Sequence, residues 1–347
     1  MPAFELGELG WSADLADNLE PGLTPGRVVA VHRGAFDVRT AHGTVRASLP
    51  GRLLHDGVDV ATGDWVGLSG SQIRSVLPRR SAIVRSAAGK TSDSQTLAAN
   101  VDLAFVVSSL GPDLEPRRIE RYLVTIWESG ASPEIVLTKA DRMDDPWPLV
   151  AAIEAVAVGV PVHVVSGMTG EGCDALRARL RPGTTAVLLG SSGVGKSTLV
   201  NRFAGRELMA VEETRVDDDE GRHTTTHREL ILLPGGGIVI DTPGLRELQL
   251  WDGGAGAVEE AFSDIEELAL ACRFNDCSHN TEPDCAVQSA LRSGELSRER
   301  HASWLKLQRE LRAIAIRADA RLRREVKRKW QQRTREGRAR AKHKRAF

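Results

Sequence analysis

Apolar and polar side chains alternate in short runs between residues 25 and 88, and glycine-containing turns separate the runs. A period of two is typical of half-buried strands, so five such runs in succession predict a small five-stranded barrel. Any small β-barrel would give this pattern. The predicted strands are residues 27–32, 35–39, 43–47, 64–68 and 71–76.

A second pattern begins near residue 102, where apolar runs alternate with stretches of helical spacing. This alternation predicts a parallel sheet covered by helices, followed by a hairpin at 231–241. Residues 78–100, which are rich in Ser, Thr and Gly after a few basic positions, are expected to form a linker. The predicted strands are 102–107, 135–137, 162–165 and 186–189, and the predicted helices are 116–128, 147–158 and 173–180.

Length and composition are those of a soluble protein with two or three domains, at 347 residues with 41% hydrophobic and 27% charged residues. No apolar run approaches the roughly 18 residues that a membrane span needs. The first residues have neither a basic start nor an apolar core, so they do not resemble a signal peptide. We therefore expect a cytoplasmic protein with no membrane partner.

The net charge of −1 conceals a strongly basic end. Residues 321–347 contain thirteen Lys and Arg against two Glu, a formal charge of +11, which leaves −12 on residues 1–320. Such a segment is attracted to a phosphate backbone, although a solvated helical end is the alternative interpretation. The tail favours a nucleic-acid partner.

A phosphate-binding loop, G-x-x-x-x-G-K-[ST], stands between a predicted strand at 185–189 and a helical stretch at 197–203. Its glycines let consecutive backbone N–H groups face phosphate oxygens, while the lysine reaches the β- and γ-phosphates and the serine hydroxyl can ligate Mg²⁺. The predicted nucleotide residues are Gly190, Ser191, Ser192, Gly193, Val194, Gly195, Lys196, Ser197 and Thr198.

Two motifs that precede this loop point to guanine as the base. Thr138-Lys139-Ala140-Asp141 resembles the [NT]-K-x-D motif of Ras-type GTPases, whose carboxylate accepts hydrogen bonds from guanine N1 and N2. Adenine has no such donor pair, so Asp141 favours GTP over ATP, although an Asp after a strand is also a common helix cap. One strand and helix later, Ser166-Gly167-Met168 resembles the S-A-K guanine loop, with two departures.

Two further motifs follow the phosphate loop and resemble the switches of the same proteins. In the first, at 221–226, Thr225 is our candidate for the threonine that closes on Mg²⁺ and the γ-phosphate. The second is D-x-x-G from Asp241 to Gly244, with the carboxylate expected to hold Mg²⁺ through water and the glycine N–H to sense the γ-phosphate. Leu245 stands where Ras-type proteins have a water-orienting Gln, so intrinsic turnover should be slow; His223 is the candidate replacement, with an ordinary loop histidine as the alternative.

Along the chain, the two guanine motifs come first, then the phosphate loop, and then the first and second switches. Ras-type proteins instead begin with the phosphate loop. This order indicates a circular permutation, which is feasible because domain termini often lie close together. The short turn Arg181-Pro182-Gly183-Thr184 is the expected joint.

A metal site is predicted after the second switch. Cys272, Cys277, His279 and Cys285 gather three of the four cysteines and one histidine within fourteen positions. Four protein ligands fill a tetrahedral zinc site and leave no open position, so the predicted Zn²⁺ is structural, one per chain. Cys173 stands apart from this cluster and is expected to be a packing residue.

Taken together, the chain resembles the ribosome small-subunit-dependent GTPase A family over about residues 25–310. The likeness also rests on Gly63-Asp64-Trp65-Val66, Pro78-Arg79-Arg80-Ser81, Asp241-Thr242-Pro243-Gly244 and Asn280-Thr281-Glu282-Pro283. It implies a circularly permuted α/β P-loop GTPase core with an N-terminal all-β barrel of the oligonucleotide-binding (OB) type and a C-terminal, mainly α zinc-binding domain. The expected domains are an extension at 1–24, the barrel at 25–90, the GTPase at 98–250 and the zinc domain with its basic tail at 255–347.

The resemblance further implies a GTP hydrolase that binds the small (30S) ribosomal subunit and its rRNA, assists late maturation and is stimulated by the ribosome. GTP and Mg²⁺ would be held by the motifs above, and a monomer is expected. Two alternatives stay open: an RNA-binding scaffold in which GTP locks a conformation, and a GTPase that acts on tRNA or mRNA.

Overall fold

The structure is a computed structural model that describes residues 5–86, 94–112, 114–209, 229–241, 255–274, 277–279 and 282–318. The chain divides into two compact units, residues 1–249 and residues 250–347, and each is considered by itself.

The predicted barrel strands are all present, with bounds within three residues of those expected. Strand β1 pairs with β2 and β4, β2 pairs with β3, and β4 pairs with β5, all antiparallel. A parallel bridge between Ser48 and Gln72 joins the end of β3 to β5 and closes the ring. The OB type of this barrel stays a prediction. The elements are β1 Thr24–His32, β2 Ala35–Thr40, β3 Gly43–Ala47, α2 Gly51–His55, β4 Trp65–Ser69 and β5 Gln72–Val76.

The residues before the barrel pack against it. A short 3-10 turn at Leu6–Leu9 and helix α1 at Ala13–Asp17 bury Leu9 and Leu15 against Trp65. The guanidinium of Arg27, which is 1% exposed, donates to the backbone carbonyls of Leu9, Gly63 and Asn100. Burial lowers the pKa of Arg27 to about 10. One buried side chain thus joins the N-terminal segment, the barrel and the start of the GTPase core.

The prediction of a linker at 78–100 is wrong. Strands β6 Ala82–Ser86 and β7 Ser94–Ala99 form an antiparallel pair, with residues 87–93 outside the described part of the chain. Ile83 and Leu97 are almost wholly buried in the core of the neighbouring sheet. Their apolar runs are only a few residues long, so the surrounding Ser, Thr and Gly dominated the composition and masked the alternation.

The sheet of the predicted GTPase domain has the order β10-β9-β8-β11-β13-β12, and all neighbours are parallel except the hairpin β12–β13. Helices α3 and α4 pack on one face and α5 and α6 on the other. Helices α4 and α5 end earlier than the sequence predicts. The elements are β8 Leu103–Ser109, α3 Pro116–Ser129, β9 Ser132–Thr138, α4 Trp147–Glu154, β10 Val162–Val164, α5 Cys173–Arg177, β11 Thr185–Leu189, α6 Lys196–Ala204, β12 Glu229–Leu232 and β13 Ile238–Asp241.

Strand β11 lies between β8 and β13 in this sheet, although β8, β9 and β10 all precede it in the chain. Strand β11 is the strand that the predicted phosphate loop follows, so this order agrees with the circular permutation expected from the motifs. A single antiparallel pairing, Ala30 of β1 opposite Glu229 of β12, continues the sheet into the barrel. The barrel and the GTPase core consequently share one sheet.

The second unit is helical, as expected, with α7 Ala255–Ala261, α8 Ser263–Leu270, α9 Ala286–Ser293 and α10 Arg298–Ala318. Phe262, Ile265 and Val287 are wholly buried within it. Arg300 of α10 donates two hydrogen bonds to the carboxylate of Asp264, at 2.9 and 2.7 Å. Among the helices that the structure describes, none has the length and apolarity to cross a membrane.

Candidate nucleotide site and metal centre

The phosphate loop lies between the buried strand β11 and helix α6, in the context that its motif requires. At Gly190, where φ is +151°, a Cβ atom would come within 2.1 Å of the carbonyl oxygen of Val107, so only glycine fits there. Lys196 turns back over the loop, where its Nζ donates to the carbonyl oxygens of Gly190 and Ser191 at 2.8 and 2.6 Å. The loop therefore holds an ammonium group at the start of a helix, a suitable place for phosphate.

Thr138 connects the first guanine motif to the phosphate loop. It ends strand β9, is 2% exposed, and its Oγ1 donates to the carbonyl oxygen of Val194 at 2.5 Å. The two motifs are 56 positions apart in the chain. This hydrogen bond brings the predicted base-reading turn alongside the predicted phosphate loop.

The two guanine motifs meet through their polar side chains. The hydroxyl of Ser166, which is wholly buried, donates to Oδ1 of Asp141, while Asp141 itself is exposed. Lys139, with φ of +60°, turns the chain sharply between strand β9 and the 3-10 turn Ala140–Arg142. A carboxylate that is oriented by a buried hydroxyl and open to solvent is well placed to accept hydrogen bonds from a ligand.

Gly167 departs from the Ala of the S-A-K pattern for a steric reason. A Cβ atom at this position would lie 2.9 Å from Cγ2 of Thr198, which is closer than real contacts allow. The phosphate-loop residue Thr198 therefore determines which residue the guanine loop can carry. The structure thus brings residues 138–141, 166–167 and 190–198 together.

Sequence reasoning missed two arginines at this site. Arg202 of α6 donates to the carbonyl oxygens of Gly167 and Met168, and Arg118 of α3 donates to Oγ of Ser191 at 3.2 Å. The helical spacing of Arg202 from Thr198, four residues, was a usable signal, because such residues share a helix face. Nothing in the sequence alone places α3 beside the phosphate loop.

Three predicted residues, His223, Thr225 and Gly244, lie outside the described residues. Asp241 is the last residue of β13, directly beyond the pairing of Ile240 with Val187 of β11, and its backbone position is described whereas its side chain is not. The main chain of Asp241 therefore reaches the same end of the sheet as the phosphate loop.

The predicted metal ligands form one cluster. The ligand atoms of Cys272, Cys277, His279 and Cys285 all lie within 4.8 Å of one another. Nδ1 of His279 is 3.5 Å from Sγ of Cys272 and 3.6 Å from Sγ of Cys285, and those two sulfur atoms are 3.8 Å apart. A tetrahedral zinc with ordinary bond lengths requires S–N and S–S separations of about 3.5 and 3.8 Å, so the donor set fits one structural zinc ion.

Backbone groups support the thiolates. Cys285 is the N-cap of α9, and its Sγ accepts the amide N–H of Gln288 at 3.4 Å. Burial acts to raise the pKa of the Cys272 thiol, but hydrogen bonds from the amides of Ala286 and Val287 outweigh it and lower that pKa. By contrast, burial raises the pKa of Cys173, whose thiol donates to a backbone carbonyl, as suits a packing residue.

Comparisons with known proteins agree on one family. Residues 76–251 match the family model described as RsgA GTPase. A protein of Streptomyces avermitilis named small ribosomal subunit biogenesis GTPase RsgA is 50% identical over 342 residues, covering 95% of this chain and 92% of that protein. A protein of Listeria innocua named small ribosomal subunit biogenesis GTPase RsgA 1 is 46% identical over 309 residues, or 88% of each chain.

Solved structures give the same fold. YjeQ from Thermotoga maritima superposes with a TM-score of 0.63 at 27% identity, covering 83% of this chain and 98% of its own. YloQ, described as a circularly permuted GTPase, superposes with a TM-score of 0.60 at 22% identity, covering 84% and 96%. At 22% identity, the similarity to YloQ shows a shared fold only.

The residues present fit the ligands that such a family implies, GTP with Mg²⁺ and one zinc ion. The fit rests on the glycine-lined loop with its lysine, on the Asp141–Ser166 pair beside it and on the tetrahedral spacing of the cysteine and histidine ligands. A family model matches residues 76–251, and a relative is 50% identical over 95% of this chain, so this GTP-hydrolysing chain belongs to the RsgA GTPase family.

Proposed function

We propose that this chain hydrolyses GTP on the small ribosomal subunit, assists the late maturation of that subunit and is stimulated by it. The names of the relatives from Streptomyces and Listeria support the subunit as partner. The observation that carries the GTP assignment is the Asp141–Ser166 pair, which Thr138 links to the phosphate loop.

Base recognition falls to residues 138–141 and 166–167. The carboxylate of Asp141 would accept the N1 and N2 hydrogens of guanine, and the donated hydrogen bond from Ser166 holds it in one orientation. The aliphatic part of Lys139 would pack on the base. ATP would leave the carboxylate without donors, and an unpaired charge at a binding site costs affinity.

Phosphate recognition and hydrolysis fall to residues 190–198 with Thr225, Asp241 and Gly244. Lys196 would leave its carbonyl partners for the β- and γ-phosphates, while Ser197, Thr225 and Asp241 would hold the cation. Mg²⁺, when bound, neutralises the charge that develops on the phosphate oxygens. Since Leu245 has no hydrogen-bonding group, His223 would orient the attacking water.

The five-stranded barrel, taken as OB-type, and the basic residues 321–347 would contact RNA. The protein would act in the cytoplasm as a monomer. The helical unit with the predicted zinc site follows the second switch in the chain. A change in that switch on hydrolysis would move the start of the helical unit that carries the basic residues 321–347, and the protein would then leave the subunit.

The test is GTP hydrolysis by the full chain with and without purified small subunits, across a salt series. We expect slow turnover alone and at least a tenfold stimulation by subunits, lost at high salt as phosphate contacts are screened. Lys196→Ala is the control that assigns the turnover to this site. Equal rates with and without subunits at every salt concentration would refute the proposal.

Leu245 gives one observation in favour of a scaffold, in which GTP only locks a conformation. A scaffold predicts salt-dependent subunit binding with no stimulated turnover, so the same experiment separates the two. A GTPase that serves tRNA or mRNA would be identified by competition, because those RNAs would displace it from small subunits.

A further inference from the structure

Helix α6, which begins in the phosphate loop, also holds the guanine loop. Arg202, in the last turn of this helix, donates through Nε to the carbonyl oxygen of Gly167 and through Nη2 to that of Met168, both at 2.9 Å. A planar guanidinium that bonds two successive carbonyls fixes the orientation of both peptide groups.

The guanine loop is shaped to receive this helix face. Thr198 and Arg202 are four residues apart, so both point to the same side of α6. A Cβ atom at Gly167 would lie 2.9 Å from the methyl group of Thr198, and one at Gly170 would lie 2.9 Å from the guanidinium of Arg202. Glycine at both positions leaves the space that these two side chains occupy.

The opposite side of the loop is held by the base-reading residues. The hydroxyl of Ser166 donates to Asp141 and accepts the amide N–H of Thr169 at 3.1 Å. No peptide bond in the described chain is cis, so the N–H that follows each carbonyl held by Arg202 points away from Arg202. Arg202 therefore directs the amides of Met168 and Thr169 toward the side of the loop where Ser166 and Asp141 meet.

We propose that Arg202 is a positioning residue for base selectivity: it holds the loop at 166–170 in the conformation that prefers guanine over adenine. The proposal rests on the proposed guanine site at Asp141. Arg202 acts through the loop, so its loss should weaken the preference for guanine more than it weakens binding of the phosphates.

The experiment measures competition of GDP and ADP against a fluorescent GDP analogue, with the full-length protein in Mg²⁺. The variants are Arg202→Ala, Arg202→Lys and Asp141→Asn, and the control is Arg206→Ala, an exposed arginine just beyond the end of α6. Thermal unfolding of each variant establishes that it is folded.

We expect Arg202→Ala to lower the ratio of GDP to ADP affinity by roughly tenfold, since two hydrogen bonds from a charged group are lost. A lysine ammonium lacks the planar fork that holds two carbonyls in one fixed geometry, so Arg202→Lys should fall between Ala and the wild type. It replaces Arg202→Ala if that variant does not fold. Arg206→Ala should leave the ratio unchanged.

Two outcomes would overturn the proposal in distinguishable ways. If Asp141→Asn loses the preference for GDP while Arg202→Ala and Arg202→Lys keep it, the guanine site stands and Arg202 has no role in it. If Asp141→Asn also retains the preference, the guanine site itself is misassigned, and the inference falls with it.

Discussion

Two residues of the predicted guanine motifs contact the predicted phosphate loop. Thr138, at the [NT] position of its motif, donates from its hydroxyl to the carbonyl oxygen of Val194. Gly167 replaces Ala because the methyl group of Thr198 occupies the space that a Cβ would need. The residues predicted to read the base and those predicted to bind phosphate therefore pack against one another, and a substitution in one motif has to be judged against the other.

Asp141→Asn should change which base is accepted. Guanine presents two donors, at N1 and N2, which match two carboxylate acceptors, whereas an amide offers one acceptor and one donor. Xanthine, with a donor at N1 and an oxygen at C2, matches the amide. We expect GTP affinity to fall at least a hundredfold and XTP affinity to rise, since mismatched buried polar groups cost about 1–3 kcal/mol each.

Competition binding with GTP, XTP and ATP measures this change. Asp144→Asn is the matched control, because Asp144 is an exposed carboxylate three residues further along the same loop. Unaltered GTP affinity in Asp141→Asn would contradict the assignment of residues 138–141 to guanine.

His223→Ala should reduce subunit-stimulated turnover by about 10²-fold, the ordinary range for loss of a group that orients or deprotonates a nucleophile. Because His223 would act on water and not on the nucleotide, GTP affinity should stay the same. The measurement is single-turnover hydrolysis with saturating small subunits, with His227→Ala as a control from the same segment. Full activity in His223→Ala would mean that His223 is an ordinary loop histidine with no role in hydrolysis.

One buried carboxylate joins two neighbouring strands, β9 and β10, to the segment that follows helix α5. Glu134 of β9, 2% exposed, accepts from Nε2 of His163 on β10 at 2.8 Å and from Nε and Nη2 of Arg179, beyond α5, at 2.8 and 2.6 Å. Burial acts to raise the pKa of Glu134, but the hydrogen bonds from His163 and Arg179 outweigh it and hold that pKa below its ordinary value.

Glu134→Gln should therefore destabilise the protein in a pH-dependent way. The folded-state pKa lies below the unfolded one, so the carboxylate stabilises the fold above the unfolded pKa, and this stabilisation is lost as pH falls through the folded pKa. We expect a loss of about 2 kcal/mol at neutral pH, because the amide presents N–H groups to Arg179. The loss should shrink as pH falls through the folded-state pKa of Glu134, which lies below the ordinary value for a glutamate, because the wild-type carboxylate is then protonated as well.

Urea unfolding from neutral to acidic pH measures this difference. Glu154→Gln on α4 is the control, since Glu154 is exposed. A destabilisation that is equal at all pH values would indicate that shape, and not charge, accounts for the effect of Glu134→Gln.

The cysteine and histidine cluster should make the helical unit depend on metal. Cys285 both joins the cluster and caps α9, so Cys285→Ser should abolish zinc binding and destabilise helices α7 to α10. Metal analysis should find one zinc ion per wild-type chain and none in the variant, and the variant should lose helical signal at a lower temperature. Cys173→Ser, outside the cluster, should retain its zinc; a stable, zinc-free wild-type protein would contradict the prediction.

Elements with strong periodicity were predictable, and those with short apolar runs were not. The alternation at 25–76 and at 102–189 located every strand there within three residues. Strands β6 and β7 were not predicted. Ile83 of β6 and Leu97 of β7 are buried in a core that also contains residues far away in sequence, and a short apolar run gives no sign of such packing. Helices α4 and α5 are shorter than predicted because periodicity marks a face and not where a helix ends.

For the whole molecule, the sequence predicted the residues of the candidate sites more completely than the distant contacts that support those residues. The phosphate loop, Asp141 and the metal ligands are contiguous motifs with fixed spacing, and the described structure brings each set together. Arg118 and Arg202 contact loops 73 and 35 positions away, so only the folded sheet could reveal them. Residues predicted to contact a ligand lie within recognisable motifs. Residues that hold those motifs in place, such as Arg118 and Arg202, do not.

Removal of residues 321–347 should weaken binding to small subunits and reduce its dependence on salt. The thirteen cations of this segment would each displace counterions, so the slope of log affinity against log salt should decrease by several units if even half of them contact phosphates. Sedimentation or fluorescence anisotropy across a salt series measures the slope.

The control for this truncation keeps the length and replaces the thirteen Lys and Arg with Gln. It should behave like the truncation if charge is what binds. Unchanged affinity and slope in both variants would assign the RNA contact to the barrel alone.

The pairing of Ala30 with Glu229 also constrains how this architecture can be rearranged by evolution or design. Strand β12 forms a hairpin with β13 on one side and pairs with barrel strand β1 on the other. In the sequence, Glu229 lies three positions after the predicted first switch at 221–226. In a chimera with the barrel of a distant relative and the β12 of this chain, the new β1 strand and β12 would have side chains that were not selected to pair with each other. This pairing therefore links the barrel to β12, although some two hundred residues separate them in the chain.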